Sequence, residues 1–231
     1  MITRLKNLYH KYPQQFWVVV LASFIDDIGG TMVFAFFALY VTQKFHVGMT
    51  QAGVLLGIYS LGGLIGGWFG GALTDQFGRR KLILFGLIFS AVSSILFGIV
   101  TNLSLMYPIS AMVGLLGSLS GPAEGAILAD ILPESKRSEG FGILRVVSNM
   151  DWFIGPTIAG FVASRSFLAL FVSDAVLSCI VALIVYRFVK ESMPKASEKH
   201  REQTIAQSMG GYGVVFRDLP FVAFVLSSIL M

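Results

Sequence analysis

The sequence predicts an all-α integral membrane protein: six transmembrane helices followed by the start of a seventh. Three observations carry this expectation. The chain of 231 residues is 55% hydrophobic and only 13% charged, about half the charged share of a soluble domain. Its mean hydropathy is +0.76. Its charges are gathered into short joints between long apolar runs. The clearest joint is residues 70–81, where Asp75 precedes Arg79, Arg80 and Lys81. The formal net charge of +4 could suggest nucleic acid, but the cations lie between spans rather than in an aromatic-interleaved patch. No nucleic-acid partner is expected; the partner is a lipid bilayer.

Residues 1–15 carry Arg4, Lys6 and Lys11 and form an N-terminal segment without a signal-peptide cleavage pattern. The first span covers residues 16–41 and is interrupted by Asp26-Asp27-Ile28-Gly29-Gly30. The second covers 52–73 and the third 82–100. After Thr101-Asn102 comes a fourth, 103–132, with Pro122 and Glu124 inside it. Residues 133–139 read as a charged loop. The fifth span, 141–163, contains Arg145, Asn149 and Asp151, and the sixth, 167–189, contains Asp174. Each is long enough for about 30 Å of hydrocarbon at 1.5 Å per residue. Residues 16–189 thus form one six-helix bundle. Residues 190–218 are too polar for a span and read as a linker. Apolar character resumes over 219–231, which reads as the start of a truncated seventh helix.

Cation placement sets the orientation. Arg4, Lys6, Lys11, Arg79, Arg80, Lys81, Lys136, Arg137 and the linker cations fall on one side, and Lys44 and Arg165 on the other. The basic side stays inside, so the expectation is a multi-pass plasma-membrane protein with a cytoplasmic N-terminus.

The polar residues inside the spans are the candidates for function. The lone Cys179 excludes a disulfide framework and reads as core packing. His10, His46 and His200 are scattered. With neither a nucleophile–base constellation nor metal-ligand spacing, no enzyme, metal or cofactor is expected. Asp26 and Asp27 fall near the middle of the first span, where a charge costs at least ~2.5–3.5 kcal/mol. Adjacent carboxylates cannot cheaply both ionise in low dielectric. They point about 100° apart, so one can face a cavity while the other meets a neighbouring helix. Gly29 and Gly30 beside them would loosen the helix. Either one Asp merely caps a broken helix, or the pair is functional. Glu124 and Arg145 lie at similar depth in adjacent spans, so an ion pair between them is expected, with Asn149 on the same face as Arg145. Asp151, near the middle of its span, can face the same cavity as Asp26 or Asp27.

The second span repeats small residues at Gly62, Gly66 and Gly70, with Gly63, Gly67 and Gly71 beside them. Such ridges allow close approach, for static packing or for sliding. The fourth has a similar face at Gly114, Gly117, Gly121 and Gly125.

Gly71-x-Leu73-x-Asp75-x-x-Gly78-Arg79-Arg80 resembles the signature loop between the second and third spans of the major facilitator superfamily, with Gln76 where the family has a cation. Six spans and a long linker resemble the N-terminal half of such a transporter. The resemblance implies two inverted three-helix repeats and a missing C-terminal half of the same transporter. It also implies a loop at Gly71, Asp75, Gly78, Arg79 and Arg80 that locks one conformation by contacting that half; the alternative is that its cations only set topology. Gly155-Pro156-x-x-x-Gly160 resembles the Gly-Pro motif of the drug:proton antiporters, although Ala159 and the missing upstream glycines make it partial. A structural kink is the alternative. The fourth span lacks the family's arginine. Asp174 reads as structural, because sixth spans in the family lie outside the bundle. The function so implied is secondary transport of a small-molecule substrate by alternating access, proton-coupled, with drug efflux as the form the Gly-Pro motif suggests. The alternatives are an uncoupled facilitator and a non-transporting receptor or scaffold.

Overall fold

The computed structural model describes residues 10–193. Residues 1–9 and 194–231 lie outside the described residues, and with them most of the expected linker, the expected seventh-helix start and His200. From Gln14 onward there are seven helices and no strand among the described residues: α1 (Gln14–Phe45), α2 (Met49–Phe77), α3 (Arg79–Ile99), α4 (Leu103–Gly117), α5 (Gly121–Ile131), α6 (Glu134–Ala163) and α7 (Phe167–Phe188). Among the described residues five stretches are long and apolar enough to cross a membrane: α1, α2, α3, α4 with α5, and α7. The 30 residues of α6 rise about 45 Å, ample for a sixth crossing, but Arg145, Asn149 and Asp151 lower its hydropathy.

The joints explain the boundaries. Pro13 precedes α1, and His46 closes it in the left-handed region at φ 54°. Asn102 caps α4 by accepting from the Ser104 N–H at 2.9 Å, and Ser166 caps α7 through the Ala169 N–H at 3.3 Å. Only Gly78 separates α2 from α3; its φ of 95° with ψ of 156° is a conformation essentially reserved for glycine.

Four expectations need correction. The first span is not interrupted: α1 runs unbroken through Asp26–Gly30, so neither Asp caps a helix break. The fourth span is broken instead, at residues 118–120, because Pro122 lacks the N–H that would continue the ladder and so begins α5. Residues 134–139 are helical rather than loop; Pro133 at the N-cap and Glu134 in the first turn favour a helix start. Lys11 donates to Glu139 here and holds its carboxyl below the usual carboxylate range. Cys179 lies exposed on α7, not in the core.

Helix pairing follows the two-repeat plan. The principal pairs are α2 with α4, α1 with α6, α3 with α7, and α1 with α7. Exchanging spans one, two and three with four, five and six maps the first pair onto the second and the third onto itself. The α2–α4 seam is parallel: Gly62, Gly66 and Gly70 face the backbones of Ala111, Leu115 and Leu119 in step. Its mate, the α1–α6 seam, is parallel too, with Thr31 against Gly155 and Phe36 near Gly160. In the α3–α7 seam Ser90 meets Ser178 and Ser94 meets Asp174, so those helices are antiparallel.

The expected glycine face of the fourth span is used only at Gly114, which abuts the Tyr59 carbonyl; Gly117, Gly121 and Gly125 face open space. A contrast follows on α2. A Cβ at Gly66 would land on the Leu115 carbonyl, whereas one at Gly67 meets nothing within 4 Å. Gly66→Ala is therefore expected to cost about 1–3 kcal/mol by overpacking. Gly67→Ala should be neutral or gain up to ~1 kcal/mol of helix propensity. Thermal unfolding of the two purified variants compares them directly.

Two apolar clusters divide the bundle lengthwise. One gathers Phe16, Val19, Leu82, Leu87, Ile127 and Val181. The other gathers Phe37, Tyr40, Leu55, Phe97, Met106 and Phe171. Between them lies a polar band.

Candidate functional site

The band is built around α1. Asp26 and Asp27, neighbours on one helix, are turned to different partners. Asp26 points toward α3 and α7, where its Oδ1 accepts from the Ser178 hydroxyl at 2.8 Å; that hydroxyl is 3.4 Å from the hydroxyl of Ser90. Asp26 also lines an internal space of about 150 Å³ together with Tyr59, Ser90, Ser93, Ser120 and Glu124. Asp27 points toward α6, where its carboxyl comes within hydrogen-bonding reach of Asp151.

Asp151 is wholly enclosed, and neither of its oxygens has a donor. Its approach to Asp27 is set by the seam one turn further along. The Thr31 hydroxyl lies 2.8 Å from the Asp27 carbonyl and 3.1 Å from those of Ile28 and Asp151. Gly155 leaves that hydroxyl its room, since a Cβ there would overlap it. α6 continues unbroken through Pro156, and the close approach to α1 is made at Gly155. Gly155→Ala is expected to part α1 from α6 and cost about 1–3 kcal/mol; a lowered melting temperature for the purified protein is the readout.

No Lys, Arg or His of the described residues approaches Asp26, Asp27, Glu124, Asp151 or Asp174 within 4.0 Å. The expected Glu124–Arg145 ion pair does not form. Arg145 lies on the exposed side of α6, where Asn149 donates to its backbone carbonyl at 2.7 Å. Asn149 there lines a shallow surface hollow with Val146, Met150 and Phe153. Glu124 is turned inward toward Asp26. Similar depth was legible from residue counts, but the break at 118–120 was not, nor was the helical rotation of α6.

Asp174 on the sixth span faces into the bundle rather than away from it. It is 3% exposed, accepts from the Ser94 hydroxyl, and packs against Gly29, where a Cβ would meet its carboxyl. With Gly30, Tyr59, Ser90, Ser93 and Ser94 it lines a second space of about 120 Å³. A signal was present: Ser90 and Ser94 in one span and Asp174 and Ser178 in another are both four apart, which puts each pair on one helix face.

At the Gly78 turn the signature residues form a second constellation. Arg79 is 6% exposed. Its Nη2 is 3.1 Å from Asp75, its Nε donates to Asp130 at 3.0 Å, and its Nη1 donates to the Thr74 carbonyl at 3.3 Å. Gly78 has no side chain to cap α3, and Glu191 does it instead. Its two carboxylate oxygens accept from the N–H groups of Arg79 at 2.9 Å and Arg80 at 3.2 Å, a favourable place for an anion. Arg80 lies over the Tyr186 ring, 5.1 Å from its centroid. Gly71 sits half-buried on α2, two turns before the loop. Asp130 and Glu191 were not anticipated; each lies far from the motif in sequence and joins it only through the fold.

Comparison with known proteins adds three kinds of likeness. A family model described as Major Facilitator Superfamily matches residues 19–231. Curated relatives include a Na(+), Li(+), K(+)/H(+) antiporter of Planococcus maritimus, 27% identical over 92% of this chain and 53% of its own length. Multidrug resistance protein 2 of Bacillus subtilis is 29% identical over 68% of this chain and 39% of its own length. The quinolone resistance protein NorA of Staphylococcus aureus is 25% identical over 84% and 50%. The chain thus spans about half the length of these relatives or less. Among solved structures, a peptide transporter in complex with alafosfalin matches with a TM-score of 0.72 at 18% identity, over 93% of this chain and 46% of its own. A human organic anion transporter matches with a TM-score of 0.62 at 19% identity, over 80% and 50%. These two likenesses concern the fold.

Proposed function

The chain belongs to the major facilitator superfamily, and from that premise we propose that its bundle is one half of a proton-coupled secondary transporter for a small solute. The observation that supports this most is the Asp27–Asp151 pair: two facing carboxyls, one wholly enclosed, with no donor and no cation beside them. Such a pair can hydrogen-bond only while one member holds a proton. Losing that proton leaves two like charges in low dielectric, so the pair needs a replacement positive charge or access to water. That is the behaviour of an exchange site. The relatives' names supply two solute classes to try, drug-like organic compounds and alkali cations.

Alternating access needs a second bundle to rock against. Residues 1–231 reconstituted alone are therefore expected to show no saturable solute flux. In the proposed orientation the Gly78 turn is cytoplasmic, on the distribution of cations; the plasma membrane is the proposed location. In the proposed latch, contact with the second bundle falls to the exposed Asp75 and Lys81, because Arg79 is already partnered within this half.

The test is transport by the protein expressed from its own reading frame and reconstituted in liposomes. Solute should accumulate against its gradient when a pH gradient is imposed and redistribute when a protonophore is added. Equilibration indifferent to pH would replace proton coupling with facilitated diffusion.

A further inference from the structure

We infer that Asp174 is a proton-accepting group at the end of a hydrogen-bonded path running lengthwise inside this bundle, from Asp26 through Ser178, Ser90 and Ser94. The path goes beyond the proposed coupling pair. It starts about 100° around α1 from Asp27 and runs along α3 and α7, whereas that pair joins α1 to α6.

Its links are on the structure. The Ser178 hydroxyl donates to Asp26 at 2.8 Å and lies 3.4 Å from the Ser90 hydroxyl. One turn along α3, Ser94 donates to Asp174. The gap between Ser90 and Ser94 borders the 120 Å³ space that both serines, Ser93, Tyr59 and Asp174 line. A cavity needs only about 10–15 Å³ and two to four polar partners to hold a water, and this one meets both needs on the side lined by Tyr59, Ser90, Ser93, Ser94 and Asp174, its other walls being apolar. Its neighbour, the 150 Å³ space, shares Tyr59, Ser90 and Ser93 with it and reaches Asp26 and Glu124. The exposed Gly30 forms part of the outer rim.

The groups facing Asp174 are consistent with proton carriage. They are Asp26 and Gly29 from α1, Tyr59 from α2 and Ser94 from α3. No cation of the described residues is within 4.0 Å to hold the carboxylate permanently charged. In the transfer, protonated Asp26 releases its proton to the chain. Each hydroxyl or water accepts one proton and passes on another, and the Asp174 carboxylate ends as the acid. One positive charge moves along α1, and no bond other than O–H changes.

Asp174→Asn keeps the shape and the hydrogen bond to Ser94 but cannot exchange a proton as a carboxyl does; Asp174→Glu restores a carboxyl. Both are to be made in the protein expressed from its own reading frame. The expected result is that Asp174→Asn loses pH-gradient-driven accumulation while solute counterflow, which needs no net proton movement, persists; Asp174→Glu recovers accumulation. Wild-type accumulation by Asp174→Asn would overturn the inference. So would equal loss of counterflow and thermal stability in both variants, which marks a packing role. An infrared titration of the purified protein reads the site independently of transport. A protonated-carboxyl band that follows bulk pH, absent in Asp174→Asn and shifted in Ser94→Ala, supports the assignment even if wild-type transport proves uncoupled. A spectrum unchanged by Asp174→Asn at every pH sinks it.

Discussion

Asp151→Asn is expected to abolish proton-driven solute accumulation while leaving solute exchange intact. An amide at this position would donate a permanent hydrogen bond to Asp27 in place of the exchangeable proton, so the seam with α6 stays closed and the pair no longer cycles. One pH unit corresponds to 1.36 kcal/mol per proton. In an electroneutral one-for-one exchange it supports about a tenfold solute gradient, and this should fall to none. Asp27→Asn should do the same, since either carboxyl alone lacks the shared site. Measured in liposomes, persistence of the tenfold gradient in both variants would falsify the pair as the coupling site. Asp26→Asn should also lose accumulation, because it removes the acid from which the path through Ser178 to Asp174 starts.

Arg79→Ala should be the most destabilising single change at the Gly78 turn. The guanidinium is buried, and removing it strands Asp130, whose side chain is 17% exposed, without its cation. Breaking a buried pair from one side costs about 3–5 kcal/mol. The partial exposure of Asp130 and its second donor, Ser192 at 3.0 Å, place the expected loss near the lower end. Arg79→Lys should recover only part, since an ammonium cannot reach Asp75, Asp130 and the Thr74 carbonyl with one planar fork. Glu191→Ala removes only the α3 cap and should cost about 1 kcal/mol. Melting temperatures of the three variants should fall in the order Arg79→Ala, Arg79→Lys, Glu191→Ala, lowest first.

Much of the fold was legible because hydropathy has only to distinguish lipid-length apolar runs from the joints between them. The Gly78 turn was legible for a similar reason: a positive φ between two long helices leaves glycine as the natural choice. Rotation about each helix axis was not. It decides that Arg145 faces outward and Glu124 inward, and that Asp174 faces inward. In lipid both surfaces of a span are apolar, so the periodicity that orients a helix in a soluble protein is weak here. The Asp26–Asp27 interruption was misjudged for a related reason. In water two glycines after two acids weaken a helix, at about 1 kcal/mol per glycine relative to alanine. Between packed neighbours Gly29 instead makes room for Asp174, and the backbone has no solvent to turn toward.

The polar band lies between two apolar clusters, with Asp27 about midway along α1 and Asp151 about midway along α6. A proton arriving there from either surface has therefore crossed roughly half the electrical thickness of the membrane. A full crossing is worth about 2.3 kcal/mol per elementary charge at 100 mV, so half is about 1.2 kcal/mol and shifts occupancy severalfold. Even an exchange that is electroneutral over a complete cycle should then have voltage-sensitive half-steps. A potassium-diffusion potential clamped across the liposome at fixed pH should change the apparent proton affinity, and reversing its sign should reverse the direction of that change.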